Sequence, residues 1–458
     1  MKLNKLCFAM AGMFAAGNAF ALAPNAIDPE NPGANDIVIH YGGATAQSQT
    51  VKDLATTLCA PGTIDHYNNV ATDATHLVVS CQLATPISGK SNLYFSYYLN
   101  GGSVYGVTPV ADQVSLNYMK VFGGTCSTPD AGSPSLNWTC ANAGPADQYP
   151  HAPEAGGSDV EPALFKNSNV AGLPFPAPSA AGLANLTVEP AFQVIFGLAV
   201  NLALLDGTAD NDGDGNPDYP GGTGTIKSLS KSSVASIFSK AKVQWDAIPE
   251  FGNMESFYLG GATTNIHVCR RVAGSGTQAA AQVHFLRQEC SGNSLGFATA
   301  ATWPIPGELE EISSSTKILS QCVDVNPRAI GISSLEKQPS AKYGTNWAYV
   351  AIDGILPTLE NAATGKYDYL FENSMQYNNT VVDTAQQGFL DALFAAAKDA
   401  SVLAGLPGVL GVPDYVVNVP GDFSDLNGNG IYAEFNPSSP VSWVSRDTQA
   451  CKPLVQKF

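Results

Sequence analysis

The chain has 458 residues, with 22 Lys and Arg against 39 Asp and Glu, nine Cys, 44 Gly and 30 Pro. An apolar share of 45% is enough for a large core and excludes a disordered tail or a fibre, while charged residues are only 13%, about half the usual ~25%. A net charge of −17 excludes a nucleic-acid backbone as partner, since phosphates are repelled at long range, but not a small anion held by a few aimed donors.

Lys2 and Lys5 precede an apolar stretch from Leu6 to Phe14 and then Ala19-Phe20-Ala21. This is the charged region, apolar region and cleavage site of a secretory signal peptide over residues 1–21. Cys7 lies inside the apolar stretch, too early for a lipid-anchor signal. The protein is therefore expected in the periplasm, outside the cell or on its surface. Eight cysteines remain: Cys59, Cys81, Cys126, Cys140, Cys269, Cys290, Cys322 and Cys451. An even count in an exported chain reads as four disulfides, with about 105 pairings open. Local pairs 59–81, 126–140 and 269–290 with a long closure 322–451 are the expected set. No C-x-x-C pair favours a metal site instead.

Asn35 to His40 predicts a strand stopped by Gly42-Gly43, then a helix with Val51, Leu54, Ala55 and Leu58 on one face. Residues 93–99 predict a second strand ending in Asn100-Gly101-Gly102-Ser103. The apolar run 190–205 is shorter than the ~20 residues that cross a bilayer and carries Gln193 and Asn201. It reads as a buried parallel strand with its flanks. Ile266 to Cys269 predicts a strand breaking at Gly274-Ser275-Gly276-Thr277, followed by a helix over 278–290. Leu390, Leu393, Phe394 and Ala397 mark a late helix capped by Asp383 or Thr384. Stretches 127–157 and 206–225 read as loops, and 413–458 as an irregular C-terminal extension. Strands alternating with helices predict an α/β protein with mostly parallel sheets.

Three times a strand ends in a Gly/Ser/Thr cluster where a helix begins. Such a junction exposes unpaired backbone N–H groups at the positive end of a helix dipole, and its glycines let backbone approach a ligand. The junction at 271–277 adds a fixed cation, Arg271.

These residues resemble the phosphate-type solute-binding proteins of bacterial ABC transporters. R-x-x-G-S-G-T at 271–277 matches that family's central anion loop except at its third position. Gly43-Ala44-Thr45, Gly102-Ser103 with Gly106, and Gly157-Ser158-Asp159 resemble three further binding elements. Ile237-Phe238-Ser239 with Trp245-Asp246, Asn326 to Gly331, and Asp353 to Thr358 with Gly365-Lys366-Tyr367 follow in the family's order. The resemblance covers roughly residues 36–400. It implies a type II periplasmic-binding-protein fold: lobe one from 36–192 plus 356–412, lobe two from 193–355 with an acidic insert at 206–225, and the extension 413–458. Hinge crossings are expected near 190–205 and 350–356.

By the same resemblance, Thr45, Ser103, Ser275 and Thr277 donate hydroxyl hydrogen bonds to the anion. Backbone near Ala46, Gly276 and Thr277 adds N–H groups, and Arg271 a charge-assisted contact. Asp159 is the discriminating residue. Phosphate near neutral pH has a proton to give a carboxylate and sulfate has none. The implied function is delivery of an oxyanion, phosphate above others, to an ABC permease, with no chemistry of its own. A surface, adhesive or filament-forming protein that reuses the fold is the second reading, favoured by low charge, the acidic insert and the unmatched tail.

Departures from the family pattern are Ala273, where an Asp often holds the arginine, with Arg270 as a candidate substitute; Ala46, which replaces a large apolar residue; and Asp368, which replaces a Pro. Asp210, Asp212, Asp214 and Asp218 resemble a calcium loop but lack the Glu at the twelfth position, so structural calcium and a solvated acidic insert both stay open. Asp425 to Ile431 resembles an EF-hand start, with Asn436 where the Glu belongs. Ser294 sits in a G-x-S-x-G stretch after a helix rather than a strand, so a loop is expected. His40 lies beside the first anion loop, where a packed strand-end histidine is favoured over a pH sensor.

Overall fold

A computed structural model of the chain describes residues 27–69, 75–127, 136–142, 144–252, 264–290, 310–413 and 435–457. The signal segment, Ser294 and Asp425 to Ile431 lie outside the described residues.

The first strand, Asp36–Gly43, is buried along its whole length, as expected of a central strand covered on both faces. It pairs in parallel with Lys90–Tyr98 on one side and Ala155–Ser158 on the other. Outward from Lys90–Tyr98 come His76–Ile87, Asp65–Asn68 and Leu136–Thr139. In the other direction the sheet continues through Leu370–Asn378, Leu186–Asn201, Ala329–Ser334, His267–Arg271 and Glu310–Ser313. One mixed sheet thus runs through the molecule. Parallel ladders join the strands that feed the Gly/Ser/Thr loops, and antiparallel ladders join the two halves.

Leu186–Asn201, a strand of 16 residues, makes that join. Its first half pairs antiparallel with Leu370–Asn378 and Val409–Gly411, its second with Ala329–Ser334 and Trp347–Ile352. The apolar run predicted as a parallel strand is therefore a strand with antiparallel neighbours. Burial on both faces produces the same continuous apolar run whichever way the neighbours point. Its polar residues are satisfied inside: Gln193 Nε2 donates to Glu372 Oε1 and the Val444 carbonyl, and Asn201 Nδ2 to the carbonyls of Val323 and Asp324.

Helices Ser48–Thr57 and Thr384–Ala396 lie on the first half, the latter closed by a capping box between Asp383 and Gln386. Gly276–Leu286 and Thr316–Val325 lie on the second, with Ser275 and Ser315 as N-caps. Among the described residues no helix is long and apolar enough to cross a membrane.

Two expectations are corrected and one, the irregular tail, is extended. The stretch 127–157 contains strands Leu136–Thr139, Gln148–His151 and Ala155–Ser158, whose shortness and polar or Gly-rich sequence hid them. The tail, in residues 435–457, packs on the sheet: Ser445 Oγ and the Arg446 N–H donate to Glu372 Oε1, and the Arg446 guanidinium reaches the carbonyls of Asp368, Leu370 and Lys452. Finally, pairs 59–81 and 126–140 form as expected, but Cys269 joins Cys322 and Cys290 joins Cys451. The intervening helix Gly276–Leu286, about 16 Å long at 1.5 Å per residue, carries Cys290 away from Cys269. The helix Thr316–Val325, packed on the Cys269 strand, presents Cys322 instead.

Candidate functional site

The loops after three strands meet because glycines let their backbones touch. Gly43 has φ +136°, and a Cβ there would sit 2.0 Å from the Gly157 carbonyl oxygen, so any other residue would separate the Thr45 loop from the Asp159 loop. From the other half, the Gly274 carbonyl accepts the Val104 N–H at 2.9 Å. At Gly276 a Cβ would lie 2.2 Å from Ser103 Oγ and 2.8 Å from Asp159 Cβ.

Asp159 is 1% exposed. Its Oδ1 accepts from Gln47 Nε2 at 3.3 Å and its Oδ2 from Thr277 Oγ1 at 3.4 Å, while its backbone N–H donates to Ser103 Oγ at 3.2 Å. Burial pushes its carboxyl up to about 6, with the positive charge of Arg271 and the hydrogen bonds pulling the other way.

Arg271 is also 1% exposed. Its Nε donates to the Ser313 carbonyl at 3.3 Å, one terminal nitrogen to the Ser314 carbonyl at 3.1 Å and the other to Thr316 Oγ1 at 2.8 Å. Thr316 Oγ1 in turn lies 3.4 Å from Thr45 Oγ1. The carbonyls of Ser313 and Ser314 thus do the positioning that Ala273 cannot. Arg270, the adjacent residue on the strand, faces the opposite side.

The structure therefore brings Thr45, Ser103, Asp159, Arg271, Ser275, Gly276 and Thr277 to one place, where loops from both halves meet. Ser275 caps the helix with its oxygen, accepting the Gln278 N–H at 3.4 Å, which leaves its O–H free to donate. Ala46 is buried on the turn Thr45–Gln47, its carbonyl accepting from Ser334 Oγ at 3.3 Å. Sequence reasoning missed Gln47 and Thr316. Thr316 had a readable signal: Ser313-Ser314-Ser315-Thr316 is a fourth strand–hydroxyl–helix junction, built from serines rather than glycines. Gln47 had none.

The halves are also clasped at the rim. Glu336 accepts the Gln49 N–H and Thr50 Oγ1, each at 3.2 Å, and pairs with Lys337. Thr45 and Thr316 are among the residues lining a cavity of about 120 Å³.

His40 is a packed strand-end histidine: burial lowers its pKa against the pull of Glu154, which its Nδ1 meets at 3.2 Å. Of the acidic insert, Asp210, Asp212 and Asp214 bring carboxylates within 4.8 Å of one another, all exposed. Asp218 stands apart, accepting the backbone N–H and Nδ2 of Asn211. Asp368 pairs with Lys231 at 2.6 Å, away from the anion loops.

No family model and no curated protein matches the chain. Solved structures do. An ABC-type phosphate transport receptor from Vibrio cholerae is 12% identical with a TM-score of 0.40, covering 78% of this chain and 93% of that one. A phosphate-binding protein from Stenotrophomonas maltophilia is 14% identical with a TM-score of 0.39, covering 75% and 79%. A high-affinity periplasmic phosphate-binding protein bound with phosphate is 13% identical with a TM-score of 0.45, covering 89% and 99%. The chain is similar to phosphate-binding receptors of ABC transporters.

Proposed function

We propose that this protein is an exported receptor for a protonated oxyanion, phosphate, which it carries to an ABC permease without altering it. The observation that carries the reading is the burial of Asp159 and Arg271 in one junction of hydroxyls and helix N-termini, near enough for the guanidinium charge to act on the carboxyl. Arg271, Thr45, Thr316, Ser103 and Ser275 offer donors for anionic oxygens, while the Thr277 hydroxyl is given to Asp159. Asp159, ionised above about pH 6, needs a donor from the ligand. Gln47 Oε1, buried and without a hydrogen-bond partner among the described residues, is a second acceptor. An anion carrying a proton satisfies both sets at once. Sulfate would set a lone pair against a buried carboxylate, a cost of several kcal/mol.

Since Asp159 and Arg271 are almost wholly buried, a ligand enters only when the halves part, and contacts such as Val104 to Gly274 and the Glu336 clasp re-form around it. Affinity then includes the free energy of closure, and the anion shifts the equilibrium by its preference for the closed state. Calorimetry at pH 8 with inorganic phosphate and with sulfate tests the reading. Phosphate is expected to bind at micromolar levels or tighter, and sulfate at least ~10³-fold more weakly. Equal affinity for the two ions, or none for phosphate, refutes it.

A further inference from the structure

The cavity beyond Thr45 and Thr316 is lined by Lys52, Lys317, Lys337 and Lys342. They come from both halves: Lys52 from helix Ser48–Thr57, Lys317 from the first turn of Thr316–Val325, and Lys337 and Lys342 from the segment after Ala329–Ser334. Two are matched by acids, Lys52 by Asp53 at 3.7 Å and Lys337 by Glu336. Among the described residues Lys317 and Lys342 have no ion pair, and Lys342 lies 5.2 Å from the Tyr343 ring centre. The cavity therefore holds two positive charges in excess, in a chain of net −17.

Its size is also informative. On the measure by which one water needs ~10–15 Å³, about 120 Å³ is room for several waters and ample for a phosphoryl group. Thr45 and Thr316, whose hydroxyls meet at 3.4 Å, both line it, and Thr316 Oγ1 also accepts from Arg271. An anion seated against Arg271 would thus have a neighbouring chamber with room for a second phosphoryl group, lined with cations that make no ion pair among the described residues and with the N-terminus of a ten-residue helix.

We propose that this chamber is a second phosphoryl subsite, so that the preferred ligand carries two linked phosphoryl groups: inorganic diphosphate or the diphosphate end of a larger molecule. The proposal rests on the anion-site reading above and goes beyond it. One phosphoryl group sits with Asp159 and Arg271, and the other with Lys317 and Lys342. Cations that served only to steer a single phosphate inward would raise its on-rate and leave diphosphate no better bound.

Calorimetry on the full exported chain, with inorganic phosphate and inorganic diphosphate as probes, separates these cases. Wild-type protein should bind diphosphate at least about tenfold more tightly than phosphate. The double variant Lys317→Met, Lys342→Met should lose that advantage while its phosphate affinity changes less than about threefold, with the folded state checked by thermal melting. Diphosphate binding no tighter than phosphate, or an advantage that survives the double substitution, overturns the second subsite while phosphate binding stands. Binding of neither ion overturns the anion site itself, and the subsite with it.

Discussion

Asp159 offers the sharpest test, because its protonation should decide which anion is admitted. Its carboxyl is raised by burial from 3.8 to about 6, with Arg271 opposing. When protonated it becomes a donor, and the objection to sulfate disappears. With a pKa near 6, about 1% of the carboxyl is protonated at pH 8 and about 90% at pH 5. If only the protonated form accepts sulfate, sulfate affinity rises about 90-fold between those values, or about 2.7 kcal/mol, tenfold per unit down to about pH 6 and flat below about pH 5. Phosphate keeps a proton of its own and should vary far less. Arg271 stays charged throughout, and Asp159→Asn should abolish the sulfate slope while weakening phosphate at least about tenfold. Linkage supplies an independent readout on the empty protein. A raised carboxyl holds a proton in the folded state that the unfolded chain has lost, so stability falls as pH rises from about 4 to 6 and stays lower above. Asp159→Asn should therefore melt higher than wild type at pH 8, by up to about 3 kcal/mol in stability. Calorimetric titration with sulfate at half-unit steps from pH 5 to 8 is the assay. A flat wild-type profile, or the same slope in Asp159→Asn, refutes the reasoning.

Gly276→Ala places a methyl group against Ser103 Oγ and Asp159 Cβ, across the contact between the halves. Overpacking of this kind costs about 1–3 kcal/mol, and because parting the halves relieves it, phosphate affinity should fall about 5- to 150-fold while the empty protein's melting temperature barely moves. An unchanged affinity would mean the two halves do not close on this surface. Peptide mapping under non-reducing conditions should recover the 269–322 and 290–451 pairs, not 269–290 and 322–451. The double variant Cys290→Ser, Cys451→Ser should lose about 2–4 kcal/mol by denaturant titration, since the bond closes a separation of 161 residues.

The parts of the site legible in the sequence were those with a backbone signature. Gly102, Gly274 and Gly276 mark places where chain must approach chain, and the hydroxyl residues beside them follow from helix capping. Thr316 was hidden because its junction uses serines in place of glycines, so the strand Glu310–Ser313 and its helix did not read as an anion loop. Gln47 and the four lysines belong to a different class. Their positions on a turn, on helix surfaces and in a connecting segment look like ordinary solvated residues, and only the packing of the two halves gathers them. The direction of Leu186–Asn201 was unreadable for the reason already given. The docking of the irregular tail was unreadable because what holds it is polar, with Gln193, Glu372 and Arg446 exchanging hydrogen bonds that no hydropathy pattern records.

The proposal that so acidic a chain holds an anion poses an electrostatic question, and its answer lies in range. At physiological ionic strength charges on the surface are screened beyond about 8 Å, so most of the 39 acidic residues act weakly on the junction. The groups that matter are those inside that distance and out of water. Arg271 is fixed by two carbonyls and a hydroxyl, so it spends no further freedom on binding. Five of the chain's 22 basic residues, Arg271 with Lys52, Lys317, Lys337 and Lys342, stand at or beside this one opening. On the proposed reading the single buried acid of these loops, Asp159, contributes selection where it would otherwise repel, because its opposition falls only on anions without a proton to give. Net charge therefore sets how the protein behaves in bulk solution, while a handful of desolvated groups set what it holds.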